Sequence, residues 1–474
     1  MASINYLPYK GFEYHPHQKE GVQWMLKREA ADASYFQGGI LADDMGLGKT
    51  WQLIGLILNG LYKSTLLVVP ASMQDTWIEA LKKAEITVLQ RKDDWKKIFT
   101  SNRQDGRGDR RVYLTSYDRL VNACKGGILN DPESIVWDRI VCDEAQMIRN
   151  GEGTARYDYL MRLPPCPRWL LTGTPFQNSE NDLRNLFTWL GADERVSLEE
   201  LVTNCLIRRT YADLRDSDMS GVPEPYIRET LLCKYQSRYE LLLLQKLLGR
   251  IQWGKKNKMH PFMMLELFLR MNQAMAHPHV YHESIKKKRG VEMVSKDWSM
   301  EESGKTFMLR GLINRDGIKP MIVFCTFSEE IKIVRRVLEE QGYEHTYILD
   351  GSVDFAGRQR SIDEGRHLVD SGKQNVAYIV QWVAGGAGLN LQFCSSVVLY
   401  TQHWNPAVIQ QAIGRAHRIG QKEQVHVYSL VFGFEDELNM DKRMRAKQQD
   451  KMSAAQEILP TLLEEDTVRP DIKI

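Results

Sequence analysis

The chain has 474 residues, 43% hydrophobic and 26% charged, with 63 Lys and Arg against 61 Asp and Glu for a net charge of +2. That length exceeds one ordinary core and implies two or three domains, and the balanced charge excludes a uniformly basic protein, so a polyanion would need a local groove. No apolar run of about 18 residues, no secretion-type N-terminus and seven scattered cysteines without C-x-x-C fit an intracellular protein with buried thiols.

In chain order, short β-branched runs alternate with amphipathic stretches, the pattern of an α/β parallel sheet. The expected strands of the first half are Gly39–Ala42, Thr65–Pro70, Arg111–Thr115, Arg139–Asp143 and Arg168–Leu171. Lys49–Tyr62 carries Leu53, Ile54, Ile57, Leu58 and Leu61 at helical spacing. From about Asp193 to Ser303 strand signals fade, helices are expected over Tyr239–Leu248 and His260–Ala276, and basic clusters stand at Lys255–Lys258 and Lys286–Arg289.

A second series has strands at Met321–Phe327, Tyr347–Leu349, Val376–Val380, Val397–Tyr400 and Val425–Val431. Its helices are Ser328–Gln341, Gly357–Ser371 and Pro406–Arg418. The expected organisation is a first α/β lobe over 1–192, a helical insert and linker over 193–303, a second lobe over 304–445 and a tail over 446–474.

The chemistry begins at Asp43, Asp44, Met45, Gly46, Leu47, Gly48, Lys49 and Thr50, between a predicted strand and a predicted helix. A phosphate-binding loop needs that context, since glycines let backbone N–H groups wrap phosphates at a helix N-terminus. Lys49 would reach the β and γ phosphates of a nucleoside triphosphate, and Thr50 would offer its hydroxyl to Mg2+. The general pattern has Gly where this chain has Asp43, and a glycine-rich turn before a helix is the plainer alternative. Arg139–Asp143 then ends in Asp143 and Glu144. We assign Asp143 to the metal and Glu144 to the attacking water.

Arg415 and Arg418 are three apart on the helix expected over Pro406–Arg418, so they would share a face and could clamp a γ-phosphate. An isolated pair of this kind is otherwise a surface salt-bridge helix.

Taken together, these residues resemble superfamily 2 helicase-type ATPases of the SWI/SNF chromatin-remodeller and DNA-translocase family. Gln18, in Tyr14–Leu26, resembles the glutamine that reads adenine, and Asp43–Thr50 resembles motif I, in which the acid before the loop is usual. Leu67–Ser72 resembles motif Ia, Leu114–Tyr117 motif Ib, Asp143–Gln146 motif II and Leu171–Asn178 motif III. Ile207–Thr210 and Leu269–Pro278 resemble inter-lobe landmarks, which argues against a metal site at His277, His279 and His282. Val323–Phe327 resembles motif IV, Gly385–Leu391 motif V, and Trp404–Pro406 with Gln411–Arg418 motif VI.

The resemblance implies two RecA-like parallel-sheet lobes, ATP and Mg2+ as cofactors, and movement along double-stranded DNA without base specificity. It implies phosphate contacts from Ser72, Thr115, Ser116, Thr326, Gly385 and Asn390, and a nucleotide contact from Gln411. Chromatin remodelling or DNA repair on nucleosomes or with other chromatin proteins, a nuclear location, a monomer and no membrane partner are what such a protein suggests. A strand-separating helicase and a non-hydrolysing nucleic-acid binding module are the alternatives.

Four departures from the family pattern stand out. Asp44 occupies a position where Glu is commoner, and Gln146 replaces the usual His; a neutral amide can still bridge motif II to the other lobe, so altered coupling and not loss of hydrolysis is expected. Gln381, Trp382 and Val383 replace a hydroxyl residue and a base before Gly385, which weakens the expected DNA grip, and Thr401 stands in for an acid.

Overall fold

The computed structural model describes residues 4–30, 36–90, 110–125, 137–175, 180–217, 219, 221–289, 302–383, 389–433, 439, 441–446, 449 and 467–468. The chain divides into two compact units between Ser220 and Gly221. Each holds one seven-stranded sheet, and every described strand pairing is parallel.

The first sheet contains β1 (Gly38–Leu41), β2 (Ser64–Val69), β3 (Thr87–Leu89), β4 (Arg111–Ser116), β5 (Arg139–Asp143), β6 (Arg168–Leu171) and β7 (Leu206–Ile207). Their spatial order is β3-β4-β2-β5-β6-β1-β7. Its helices are α1 (Pro16–Ala30), α2 (Lys49–Asn59), α3 (Gln74–Lys83), α4 (Tyr117–Lys125), α5 (Ala155–Met161), α6 (Glu180–Leu190), α7 (Leu198–Cys205) and α8 (Tyr211–Asp216). Successive residues of β5 feed opposite cores, Ile140 and Cys142 one face and Val141 the other. A parallel sheet covered on both faces needs apolar residues on both, which is why its strands read as unbroken apolar runs.

One charged cluster inside this unit is fully buried. Glu29 of α1 takes a bidentate bond from Arg139, 2.5 Å on each oxygen, and a third from the Trp169 indole at 2.8 Å. Such a pair offsets its desolvation only when every lone pair is used, and it holds α1 against β5 and β6.

The second sheet has the order β10-β11-β9-β12-β13-β8-β14. Its strands are β8 (Ile227–Cys233), β9 (Met321–Cys325), β10 (His345–Leu349), β11 (Val376–Gln381), β12 (Ser396–Leu399), β13 (His426–Phe432) and β14 (Thr467–Val468). Around it lie α9 (Arg238–Lys256), α10 (Pro261–Ala276), α11 (Pro278–Arg289), α12 (Gly304–Asp316), α13 (Ser328–Glu340), α14 (Phe355–Asp370) and α15 (Pro406–Ile413). No described helix is long and apolar enough to cross a membrane.

The stretch 193–303, expected as an insert, is shared between the units. β7 pairs with β1 in the first sheet, whereas β8 pairs with β13 in the second. Leu243, Leu247 and Ile251 of α9 and Met271 of α10 are core residues of the second unit. The helix expected over Pro406–Arg418 stops at Ile413, and Gly414 to Gly420 continue as turns. Arg415 and Arg418 are therefore on the turns after α15, which corrects their placement on one regular helix face.

Candidate active site

The glycine-rich loop joins β1 to α2 as expected. Gly46 and Gly48 have φ of 89° and 83°, left-handed values that glycine adopts without a Cβ clash. A Cβ on Gly48 would fall 2.3 Å from Nε2 of Gln18 and push that side chain off the loop. Gln18 Nε2 donates to the Leu47 carbonyl at 3.2 Å, and His17 Nε2 is 2.9 Å from the same oxygen. This places Gln18 directly on the phosphate loop.

The Lys49 ammonium donates to the carbonyls of Asp43 at 2.6 Å and Asp44 at 3.1 Å. Burial pulls its pKa down, while Asp43, Glu144, Asp143 and Asp44 push it back towards the charged form. An ammonium has three protons; two rest on the loop and the third is available to a phosphate oxygen.

Asp43 does not present its carboxylate to a ligand. Arg209 grips it through Nε at 2.9 Å and Nη2 at 2.6 Å, and Gln52 donates at 2.8 Å. Its carbonyl is the group that takes part in the loop, by accepting from Lys49. Asp44 pairs with Arg208 at 2.5 Å, and Tyr211 donates to the Met45 carbonyl at 2.9 Å. The loop is thus braced from beneath by Arg208, Arg209 and Tyr211. The side chain of Met45 lies against Gly173, where an added Cβ would approach it to 2.7 Å.

At the end of β5, Asp143 accepts from the Trp77 indole at 2.7 Å and from the Glu144 N–H at 2.9 Å, while Tyr117 donates to its carbonyl at 2.7 Å. Burial first, and the Glu144 charge second, push the Asp143 carboxyl up to about 7. Two carboxylates crowded in this way are relieved by a cation, so the donor set suits a hard ion such as Mg2+. Among the described residues no cluster of three or more His, Cys, Asp or Glu could hold a metal alone. A divalent ion at Thr50 and Asp143 would share its coordination with phosphate oxygens and water.

Glu144 has φ 51° and ψ 57°. A non-glycine residue there costs on the order of 1–2 kcal/mol, and such strain gathers at functional positions. Its carboxylate is held by Gln146 Nε2 at 2.6 Å. The side-chain oxygen of Gln146, Oε1, accepts from the Thr172 hydroxyl at 3.0 Å, and that hydroxyl accepts from the Thr174 N–H at 3.0 Å. Gln146 therefore ties motif II to motif III inside the first unit.

The remaining positions are more scattered. Ser72 is exposed, and Ser116 accepts from the Arg119 N–H at 3.2 Å. Thr115 is wholly buried within β4, so its hydroxyl is closed to a phosphate; this corrects its assignment as a DNA contact. Its neighbours in β4 alternate between two cores, which leaves no outward face. Gly385 and Phe176–Asn178 lie outside the described residues.

In the second unit, Arg418 reaches the Asn390 side-chain oxygen at 3.5 Å, and the Leu391 N–H donates to the Arg415 carbonyl at 3.1 Å. Motifs V and VI are in direct contact there. Gln411 is half-buried, beside Gln410, which bonds Tyr226 at 3.2 Å. Two departures from the family pattern are neighbours: the Trp382 indole donates to the Thr401 carbonyl at 3.1 Å and stacks on Phe324 at 4.8 Å. The Thr401 and Thr326 hydroxyls are 2.8 Å apart, and Gln381 donates to the Thr326 carbonyl at 3.1 Å. Trp382 and Thr401 thus build one packed corner beneath motif IV.

Trp77, Tyr117, Arg208, Arg209 and Thr172 act on the site without having been singled out for it. Each sits within or beside a recognised motif, yet only the fold shows which group it touches.

Comparison with known proteins locates these residues in a wider set. The SNF2-related domain model matches residues 17–194, and the helicase conserved C-terminal domain model matches residues 304–420. The ISWI chromatin-remodeling complex ATPase ISW2 of Saccharomyces cerevisiae is 27% identical over 451 residues, 88% of this chain and 38% of that protein. The human DNA excision repair protein ERCC-6-like is 26% identical over 510 residues, 88% of this chain and 39% of that one. The mouse SWI/SNF-related matrix-associated actin-dependent regulator of chromatin subfamily A member 1 is 27% identical over 456 residues, 89% and 41%. The chain spans about two fifths of these curated relatives, from 38% to 41%. Among solved structures, the Sulfolobus solfataricus SWI2/SNF2 ATPase core in complex with dsDNA is 24% identical with a TM-score of 0.41, over 98% of this chain and 99% of that one.

Proposed function

The chain belongs to the SNF2-related helicase-like ATPases, and from that premise we propose that it hydrolyses ATP to move along double-stranded DNA. The observation that carries the hydrolytic part is the convergence of Lys49, Asp143 and Glu144 where the glycine loop feeds α2. The DNA part rests on family membership and on relatives named for chromatin remodelling and DNA excision repair.

Each residue then has a role. Backbone N–H groups of Gly46–Thr50 and the Lys49 ammonium hold the phosphates, and Gln18 and Gln411 flank the nucleotide. Mg2+, when bound, neutralises phosphate charge; the Thr50 hydroxyl and the Asp143 carboxylate would hold it. Glu144, oriented by Gln146, takes the proton of the attacking water. Arg415 and Arg418 stabilise the charge that develops on the γ-phosphoryl group. Ser72, Ser116, Thr326, Gly385 and Asn390 contact DNA phosphates, which carry no base information, so binding is sequence-independent. Work on nucleosomal DNA in the nucleus, by a single copy of the chain, completes the reading.

Displacement of a third strand from a triplex tests translocation directly. ATP-driven displacement without separation of a blunt duplex supports the proposal. Strand separation without displacement replaces it with a helicase.

A further inference from the structure

We propose that the outer end of the α9–α10 hairpin is a docking surface for an acidic, amphipathic helix of a partner protein. Of the nine residues Pro261–Leu269, only Glu266 is polar. A helix apolar all round is one that is buried on all sides, yet burial in α10 begins only at Arg270.

Met264, Leu267 and Phe268 pack against the second unit's core. The rest of that apolar surface is open: Phe262 is 73% exposed, Leu265 65%, Met263 55% and Leu269 45%. At the end of α9 Trp253 is 60% exposed as well. Several large exposed apolar side chains on one helical hairpin mark an interaction site, where isolated ones would not. Aromatic anchors such as Trp253 and Phe262 are the residues that dominate binding at such sites.

The charge of the hairpin selects the occupant. From Arg250 to Leu265 there is no Asp or Glu, while Arg250, Lys255, Lys256 and Lys258 are all exposed. None of the four makes an ion pair with a described residue. The lysines of α11 differ, since Lys287 and Lys288 are matched by Glu329 and Glu266. An exposed apolar helix face that follows a turn carrying unmatched cations fits a helix with an apolar face and acidic residues beside it, laid along it at i, i+3, i+4 and i+7 spacing. Duplex DNA would satisfy the lysines but leave Phe262, Met263 and Leu265 in water, so the acidic protein helix is favoured.

The test uses the full chain and a fluorescein-labelled peptide of about 18 residues, long enough to be helical, with leucine along one face and glutamate elsewhere. Anisotropy should show saturable binding of this peptide and none of a matched peptide carrying lysine in place of glutamate. Phe262→Ser with Leu265→Ser, and separately Lys255→Glu with Lys258→Glu, should each weaken binding about tenfold or more. These positions are exposed, and unchanged melting temperatures would show that the fold is retained. Lys49→Ala should leave peptide affinity unchanged, so the outcome does not depend on the ATPase reading. Equal binding of both peptides, or insensitivity to either variant pair, would overturn the proposal. So would loss of affinity for a 30-base-pair duplex as the sole effect of the lysine variants, which would assign the surface to DNA. Self-association abolished by the serine variants would assign it to a second copy of the chain.

Discussion

The indole N–H of Trp77, on α3, donates to the Asp143 carboxylate at the end of β5 across 2.7 Å, and both side chains are buried. The bond fixes the orientation of the acid assigned to Mg2+, and groups that orient a metal ligand are typically worth about 10- to 100-fold in affinity or activity.

Trp77→Phe keeps most of the apolar volume and removes the donor. The Mg2+ concentration needed for half-maximal binding of a fluorescent ATP analogue should rise about tenfold or more. An unchanged Mg2+ requirement would show that Trp77 only fills space.

Gln146 is the middle of a chain from Glu144 to Thr174. Gln146→Ala should lower kcat about 10- to 100-fold, the effect of a misplaced catalytic group, with KM for ATP little changed. Steady-state kinetics measures both. Wild-type kcat in the alanine variant would separate Gln146 from the chemistry.

Arg209 and Asp43 form a buried ion pair at 2.6 Å. Removing one partner strands the other in the interior, which costs about 3–5 kcal/mol. Arg209→Ala should therefore lower the melting temperature by roughly 6 °C or more. A change within one or two degrees, in the same calorimetric scan, would contradict the bracing role.

Burial pushes the Glu330 carboxyl up to about 7, although the Phe327 and Thr326 N–H groups pull the other way. An acid with a raised folded-state pKa stabilises the protein below its unfolded pKa and loses that contribution as pH rises through the folded value. Stability should thus fall between about pH 4.5 and 7 by an amount on the order of 3 kcal/mol from this group. Urea melts of Glu330→Gln should show a flatter profile over that range, and profiles parallel to wild type would remove Glu330 as the cause.

The central strands were legible because both sheets are covered on both faces. Arg139–Asp143 and Arg168–Leu171 have the bounds expected of them, and Met321–Cys325 differs by two residues at one end. The edges were not. β3 has three partly exposed residues and β7 has two, too few for a pattern, and β8 is interrupted by Arg228 and Glu229. The loop, Lys49 and the two acids of motif II carry local signatures, so the sequence alone singles them out as candidates. The bracing was not legible, because Trp77 lies 66 positions from Asp143 and Arg209 lies 166 from Asp43. Spacing along the chain holds no trace of such pairs. Thr115 was misassigned for a related reason: a hydroxyl in a strand does not announce which way it faces.

The most direct test of the whole account is the steady-state rate of ATP hydrolysis, with and without duplex DNA, for the wild-type chain and Glu144→Gln. The account predicts a wild-type rate raised severalfold by duplex and a Glu144→Gln rate near background in both conditions. A wild-type rate indifferent to DNA, or a Glu144→Gln rate equal to wild type, would contradict it.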